Sequence, residues 1–129
     1  MSMRRILIAG IAVVLGLSSG TDTLAQAPTR RVIEITAERF EFFPSEITVA
    51  QGEDVELHVR SDDTTHGFRL VGAGTNVTVP KRGKGAVIVR FTADAAGRYT
   101  FECSRMCGAG HNFMRGVLIV GPSSTGNLP

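Results

Sequence analysis

The segment DVELHVR, from Asp54 to Arg60, alternates apolar and polar residues at every position. This period of two is typical of a β-strand, because successive side chains of a strand point to opposite faces of the sheet. We expect the three aliphatic residues on a buried face and the charged residues on a solvated one. The same alternation predicts that His58 is a surface histidine.

Similar short alternating segments occupy most of the chain between Val32 and Val120. Turn clusters separate them, among them Gln51–Asp54, Gly72–Gly74 and Lys81–Gly85. About eight short strands divided by such turns predict an all-β sandwich. The sequence contains neither an internal repeat nor a helical pattern longer than two turns, so a single domain is expected.

Composition is that of an ordinary globular protein, with 129 residues, 43% hydrophobic and 20% charged. The formal net charge of +2 is too small to indicate binding to nucleic acid or to a membrane surface. The charges are unevenly distributed, since residues 34–63 carry nine acids and two bases whereas residues 64–115 carry eight bases and two acids. Either one end of the sandwich is positive or the surface is mixed and solvated.

The first residues have the pattern of an export signal. Arg4 and Arg5 precede an apolar run over residues 6–17, and Ala25-Gln26-Ala27 fits a small-residue cleavage site. The run is shorter than the about 20 residues that span a bilayer. We expect a signal peptide at 1–27, a domain at 28–122 and a flexible tail at 123–129. The alternative is an uncleaved membrane anchor.

The segment from Cys103 to Met114, CSRMCGAGHNFM, is the most informative for chemistry. It contains both cysteines of the chain, two methionines and His111. Thiolate and thioether sulfurs beside imidazole are ligands that copper prefers. The segment joins two predicted strands, so both of its ends would be fixed. His66 follows a polar loop at the start of another strand and is the candidate for a second imidazole.

Two groups of residues carry a family resemblance. The segments FEFFP at 40–44, Ile47–Val49 and Val55–Val59 resemble the opening strands of cupredoxins. The spacing Cys-x3-Cys-x3-His-x2-Met, with an upstream His-Gly-Phe, resembles the CuA domain of cytochrome c oxidase subunit II and of nitrous oxide reductase. The resemblance covers nearly all of residues 31–120 and implies a cupredoxin-like Greek-key β-sandwich.

The resemblance also implies a dinuclear copper centre. The two cysteines would bridge two copper ions, each histidine would cap one ion, and a thioether and a backbone carbonyl would be weak ligands. The implied ligands are His66, Cys103, the carbonyl of Arg105, Cys107, His111 and Met114. Such a protein would transfer single electrons in the periplasm with a redox partner such as a cytochrome c or a terminal oxidase. It would be an accessory component rather than an enzyme by itself.

The chain departs from the oxidase subunit in three respects. It has no Trp for the aromatic patch through which electrons enter, and it has no pair of membrane-spanning helices beyond the signal. Arg105 replaces an acid that helps to bind another metal, which an arginine side chain cannot do. We therefore expect the copper site of this family without its oxidase docking surface.

Three other interpretations remain open at this stage. An oxidising compartment favours a Cys103–Cys107 disulfide in a copper-free binding module. Two cysteines and two histidines could also form a tetrahedral zinc site, in which Met114 would have no role. A third possibility is a copper carrier that supplies an oxidase. The sequence contains no Ser–His–Asp set or phosphate-binding loop, so a hydrolase is not expected.

Residues beside the implied ligands have more modest predicted roles. Phe68 and Phe113 are expected to shield the metal. Ser104 is expected to donate a hydrogen bond near the thiolates, and Met106 to pack in the loop. Asp62 and Asp63 could orient His66, but we expect them mainly to solvate their loop.

Overall fold

The computed structural model describes residues 30–122. The predicted signal peptide at 1–27 and tail at 123–129 lie outside the described residues. Residues 30–122 contain nine strands, one more than the predicted number because Glu41–Phe43 pairs separately as a short strand. They are β1 Arg31–Glu38, β2 Glu41–Phe43, β3 Glu46–Ala50, β4 Asp54–Ser61, β5 His66–Leu70, β6 Thr75–Val79, β7 Ala86–Thr92, β8 Gly97–Glu102 and β9 Arg115–Gly121.

The strands form two sheets, with orders β2-β1-β4-β7 and β3-β9-β8-β5-β6. β1 pairs in parallel with β4, β3 pairs in parallel with β9, and the other pairs are antiparallel. The chain passes from one sheet to the other after β2, β3, β4, β6 and β7. The prediction of an all-β, cupredoxin-like Greek-key sandwich is therefore confirmed.

The core lies between the sheets and follows the predicted alternation. Val55, Leu57 and Val59 of β4 are fully buried, and His58 lies on the outer face with its ring against Glu56. Phe42, Phe68 and Phe101 meet at the centre with ring centroids 5.4–5.6 Å apart. Burial of one such ring contributes about 1.5–3 kcal/mol, so these rings fix the two sheets relative to each other.

The end of the sandwich where β4 finishes and β5 and β9 begin gathers the segments of chemical interest. β8 and β9 are paired through Glu102 and Arg115, and the loop between them closes on a 3-10 turn at His111–Phe113. A rigid hairpin therefore holds both ends of this loop. Within residues 30–122, no helix reaches the length and apolarity that a bilayer crossing requires.

Candidate metal centre

The loop between β8 and β9, which we call the ligand loop, folds its sulfur atoms together. The backbone N–H of Cys103 donates to the carbonyl oxygen of Met114 at 3.0 Å, which closes the base of the loop. The Sγ atoms of Cys103 and Cys107 are 3.7 Å apart, and the Met114 Sδ atom is 3.9 Å from Cys107 Sγ. All three side chains are buried, so water is largely excluded from the sulfurs.

His66 enters this cluster from the other side. It is the first residue of β5, is fully buried, and places Nδ1 3.9 Å from Cys103 Sγ. The ligand atoms of His66, Cys103 and Cys107 all lie within 4.8 Å of one another. A residue 37 positions upstream of Cys103 is thus brought into the site by the pairing of β5 with β8.

The remaining two predicted ligands also lie beside the sulfurs. His111, on the 3-10 turn, places Nδ1 3.8 Å from Cys107 Sγ and is partly exposed. The carbonyl oxygen of Arg105 is 3.1 Å from Cys103 Sγ. Each cysteine sulfur therefore has a histidine ring nitrogen within 3.9 Å. The structure thus brings all six predicted residues together.

The spacing of the two sulfurs fits a shared metal ion. Two thiolates bound at about 2.3 Å to one tetrahedral ion lie about 3.8 Å apart, whereas the sulfurs of a disulfide lie about 2.05 Å apart. The observed 3.7 Å matches the first value, and Cys103 and Cys107 are both free thiols. His111 is not part of the compact group of His66, Cys103 and Cys107, although one tetrahedral zinc ion would need all four together.

Asp63 orients His66, contrary to the expectation that it mainly solvates its loop. Its Oδ1 atom lies 2.6 Å from His66 Nε2. A carboxylate can only accept, so His66 donates from Nε2 to Asp63, and the other ring nitrogen, Nδ1, faces Cys103. Burial opposes ionisation of Asp63, but hydrogen bonds from His66 and from backbone N–H groups outweigh it and lower its pKa to about 2.

Arg39 and Phe40, between β1 and β2, support the ligand loop, and sequence analysis did not identify this role. Arg39 Nε donates to the Cys107 carbonyl oxygen at 2.6 Å, and the Arg39 backbone N–H donates to Asp63 Oδ2 at 3.1 Å. The Phe40 ring lies against the loop, where a Cβ atom on Gly110 would come within 2.3 Å of it. The Arg39–Cys107 contact spans 68 positions, and no local sequence signal indicates it.

Gly67 permits the ligand loop to approach β5. A Cβ atom at this position would lie 2.7 Å from the Arg105 backbone nitrogen and 2.2 Å from Ser104 Oγ. The Ser104 hydroxyl donates to Asn76 Oδ1 at 2.6 Å, so its predicted donor role is directed towards β6 rather than towards the thiolates.

Two predictions for apolar neighbours are wrong. Phe113 is 82% exposed and does not shield the sulfurs, because the 3-10 turn points its ring outward. Met106 is 73% exposed and does not pack inside the loop. Phe68 is fully buried beneath the site, as expected.

The Cys107 thiol is held in its protonated form when no metal is bound. Burial is the main cause, and the neighbouring Cys103 adds to it, so the pKa of Cys107 rises to about 11. A metal ion must therefore displace this proton on binding.

Comparison with known proteins agrees with this geometry. The chain belongs to the cupredoxin-like domain family, whose model matches residues 7–120. It is 32% identical over 93 residues to cytochrome c oxidase subunit 2 of Thermus thermophilus, covering 72% of this chain and 67% of that protein. It is 31% identical over 80 residues to nitrous-oxide reductase of Pseudomonas fluorescens, covering 59% of this chain and only 12% of that enzyme.

A solved structure shows the same fold. The periplasmic domain of subunit II of cytochrome oxidase of Bradyrhizobium japonicum superposes with a TM-score of 0.65 at 18% identity, covering 75% of this chain and 88% of that domain. The chain is thus a cupredoxin-like domain related to cytochrome c oxidase subunit 2 and to nitrous-oxide reductase.

Proposed function

We propose that this protein is an exported electron-transfer protein with a dinuclear, CuA-type copper centre. One observation carries the proposal: two buried sulfurs 3.7 Å apart each have an imidazole nitrogen within 3.9 Å. Thiolate, imidazole and thioether donors suit copper. His66, Cys103, Cys107, His111, Met114 and the carbonyl of Arg105 would hold the two ions.

The residues of the chain would prepare the site for rapid electron exchange. Copper bound there would supply a one-electron redox couple shared over two ions. The hairpin of β8 and β9 fixes the ligand loop, and Asp63 holds the ring of His66 with Nδ1 towards the sulfurs. Because these donors are held in place before and after transfer, little atomic rearrangement would accompany each electron.

Burial favours electron transfer over copper delivery. A carrier needs an exchangeable site, whereas His66 is fully buried and both cysteines are 6% exposed. Of the two histidines, only His111 reaches the surface. Its ring would provide a short path for an electron between a partner protein and the buried centre. Retention of copper against a chelator during repeated one-electron cycling would distinguish the two functions.

Copper stoichiometry combined with electron paramagnetic resonance tests the proposal. We expect two copper ions per chain and, in the oxidised state, one unpaired electron shared equally by both nuclei. A spectrum of a single localised Cu(II) would instead indicate a mononuclear copper centre. Binding of zinc in preference to copper would reject the electron-transfer function.

We also propose a periplasmic location, with residues 1–27 as signal peptide and residues 28–122 as the mature domain. The basic start, apolar run and Ala25-Gln26-Ala27 site support this, as does relationship to a subunit of an oxidase. A redox protein such as a cytochrome c or a terminal oxidase is the proposed partner. Amino-terminal sequencing of the exported protein tests the cleavage site, and retention of residues 1–27 in a membrane fraction would indicate an anchor.

A further inference from the structure

Two large apolar side chains project into solvent from the ligand loop. Met106 is 73% exposed and Phe113 is 82% exposed, although their neighbours Cys107 and Met114 are buried with sulfurs 3.9 Å apart. Both exposed side chains therefore adjoin the metal centre itself. Large apolar side chains exposed on the loop of a functional centre are a feature of surfaces that contact another protein.

Two arginines flank these apolar side chains. Arg105 and Arg115 are exposed, and within residues 30–122 neither of them forms an ion pair. Arg115 Nη2 donates to the Asn112 carbonyl oxygen at 2.7 Å, which keeps the guanidinium beside the 3-10 turn. We call Arg105, Met106, Phe113 and Arg115 the loop surface.

The loop surface itself contains no acidic side chain. Residues 103–115 contain no Asp or Glu, and Glu102, which precedes them, is paired with Arg69. The acids at this end that lack an ion pair in the described structure include Glu38 and Glu41, which are exposed on either side of the turn between β1 and β2. The loop surface itself therefore carries only positive charge.

A second basic segment strengthens the positive potential at the same end. Lys81, Arg82 and Lys84 are exposed on the turn between β6 and β7. The Arg82 backbone N–H donates to the Asp63 carbonyl oxygen at 3.2 Å, and Asp63 in turn contacts His66. Lys81, Arg82 and Lys84, three bases of the base-rich segment, therefore lie on a turn that is hydrogen-bonded to the loop of Asp63 beside the metal centre.

We infer that the loop surface docks a redox protein whose contact face has an apolar centre and a rim of Asp and Glu. This inference rests on the proposed function. Met106 and Phe113 would fill the dry centre of the contact, and Arg105 and Arg115 would pair with the acidic rim. One electron would leave the donor protein as the copper centre gains one. Opposite charges would raise the association rate and make it fall with added salt.

Electron exchange with two proteins of opposite charge tests the inference. The oxidised, copper-loaded protein is mixed with a reduced acidic ferredoxin or with a reduced basic cytochrome c, and the bimolecular rate is followed at increasing ionic strength. We expect the ferredoxin rate to fall with salt and the cytochrome c rate to rise, because salt screens attraction and repulsion alike.

Charge reversal on the loop surface provides the matched comparison. Arg115→Glu should slow the ferredoxin reaction by about tenfold at low salt, while Arg98→Glu makes the same charge change on β8 away from the loop and should have little effect. Faster exchange with cytochrome c, or equal effects of both variants, would overturn the docking inference and leave electron transfer intact. Exchange with neither protein would reject the proposed function and the inference with it.

Discussion

Arg39 Nε lies 2.6 Å from the carbonyl oxygen of Cys107, and the backbone N–H of the same arginine donates to Asp63. Asp63 contacts His66, so one residue outside the ligand set connects the segments that hold two proposed ligands. A charge-assisted hydrogen bond of this kind both fixes geometry and adds stability.

Replacing Arg39 should loosen this connection. We expect Arg39→Met to lower the stability of the metal-free protein by about 1 kcal/mol and to weaken copper binding by about 10–100-fold, as loss of an outer hydrogen-bond partner does in other metal sites. Urea unfolding and copper release to a chelator measure the two effects. Arg98→Met removes an exposed arginine elsewhere, and equal losses in both variants would contradict the role of Arg39.

Gly67 should tolerate no side chain. The Cβ atom of Gly67→Ala would lie 2.7 Å from the Arg105 backbone nitrogen and 2.9 Å from that of Ser104. Because backbone atoms cannot rotate away, we expect a loss of about 1–3 kcal/mol of unfolding free energy and a displaced ligand loop, seen as a changed copper spectrum.

Gly121→Ala is the control for this substitution. Its nearest contact is the Val49 carbonyl oxygen at 3.8 Å, an ordinary packing distance. Its stability should stay within about 0.5 kcal/mol of the original protein. If Gly67→Ala were equally neutral, the close approach of the loop to β5 would be incorrect.

Replacing the two histidines that lie on strands, His66 and His58, should have opposite consequences for copper binding. His66→Ala removes a proposed ligand and should reduce copper affinity by more than the about 10–100-fold expected for an outer partner. His58→Ala alters only the outer face of β4, where the ring contacts Glu34 and Glu56, and should retain full copper content. Copper loss in the second variant would show that the outer face also binds metal.

Acid should remove the contribution of Asp63 to stability. Its folded-state pKa of about 2 lies below the ordinary 3.8, so ionised Asp63 stabilises the fold above about pH 4 and this contribution disappears as the pH falls towards 2. We expect metal-free Asp63→Asn to be less stable than the original protein at neutral pH, with the difference shrinking over that interval. Urea unfolding across this pH interval measures it, and a difference that stayed constant from about pH 4 to pH 2 would contradict the role of Asp63.

The rate of thiol alkylation reports the protonation state of Cys107. Because the thiolate is the nucleophile and the pKa of Cys107 is raised to about 11, iodoacetamide should modify this residue slowly at pH 8 in the reduced, metal-free protein. The rate should rise steeply as the pH approaches 11. Trypsin cleaves after Arg105, so mass spectrometry resolves Cys107 from Cys103. Modification at pH 8 as fast as in urea would show that the thiol is not protected.

Much of the fold and of the site could be predicted from the sequence, because both depend on how neighbouring residues follow one another along the chain. The alternation around Leu57 assigns buried and exposed faces, since a strand repeats every two residues. The segment from Cys103 to Met114 places five of the six candidate ligands on one loop, whatever the rest of the chain does. Alternation predicted an all-β sandwich, and the family resemblance of the loop implied six candidate ligands that the structure brings together.

Tertiary structure decided what depends on contacts between distant segments. Arg39 reaches Cys107 only because the turn between β1 and β2 folds over the ligand loop, and Asp63 orients His66 only because its own loop is held between strands of both sheets. The outward direction of Phe113 and the basic surroundings of the site likewise depend on how the 3-10 turn and the turn between β6 and β7 are placed. Sequence periodicity determines which face of a strand is buried, whereas the neighbours of a loop residue are set by the packing of the whole sandwich.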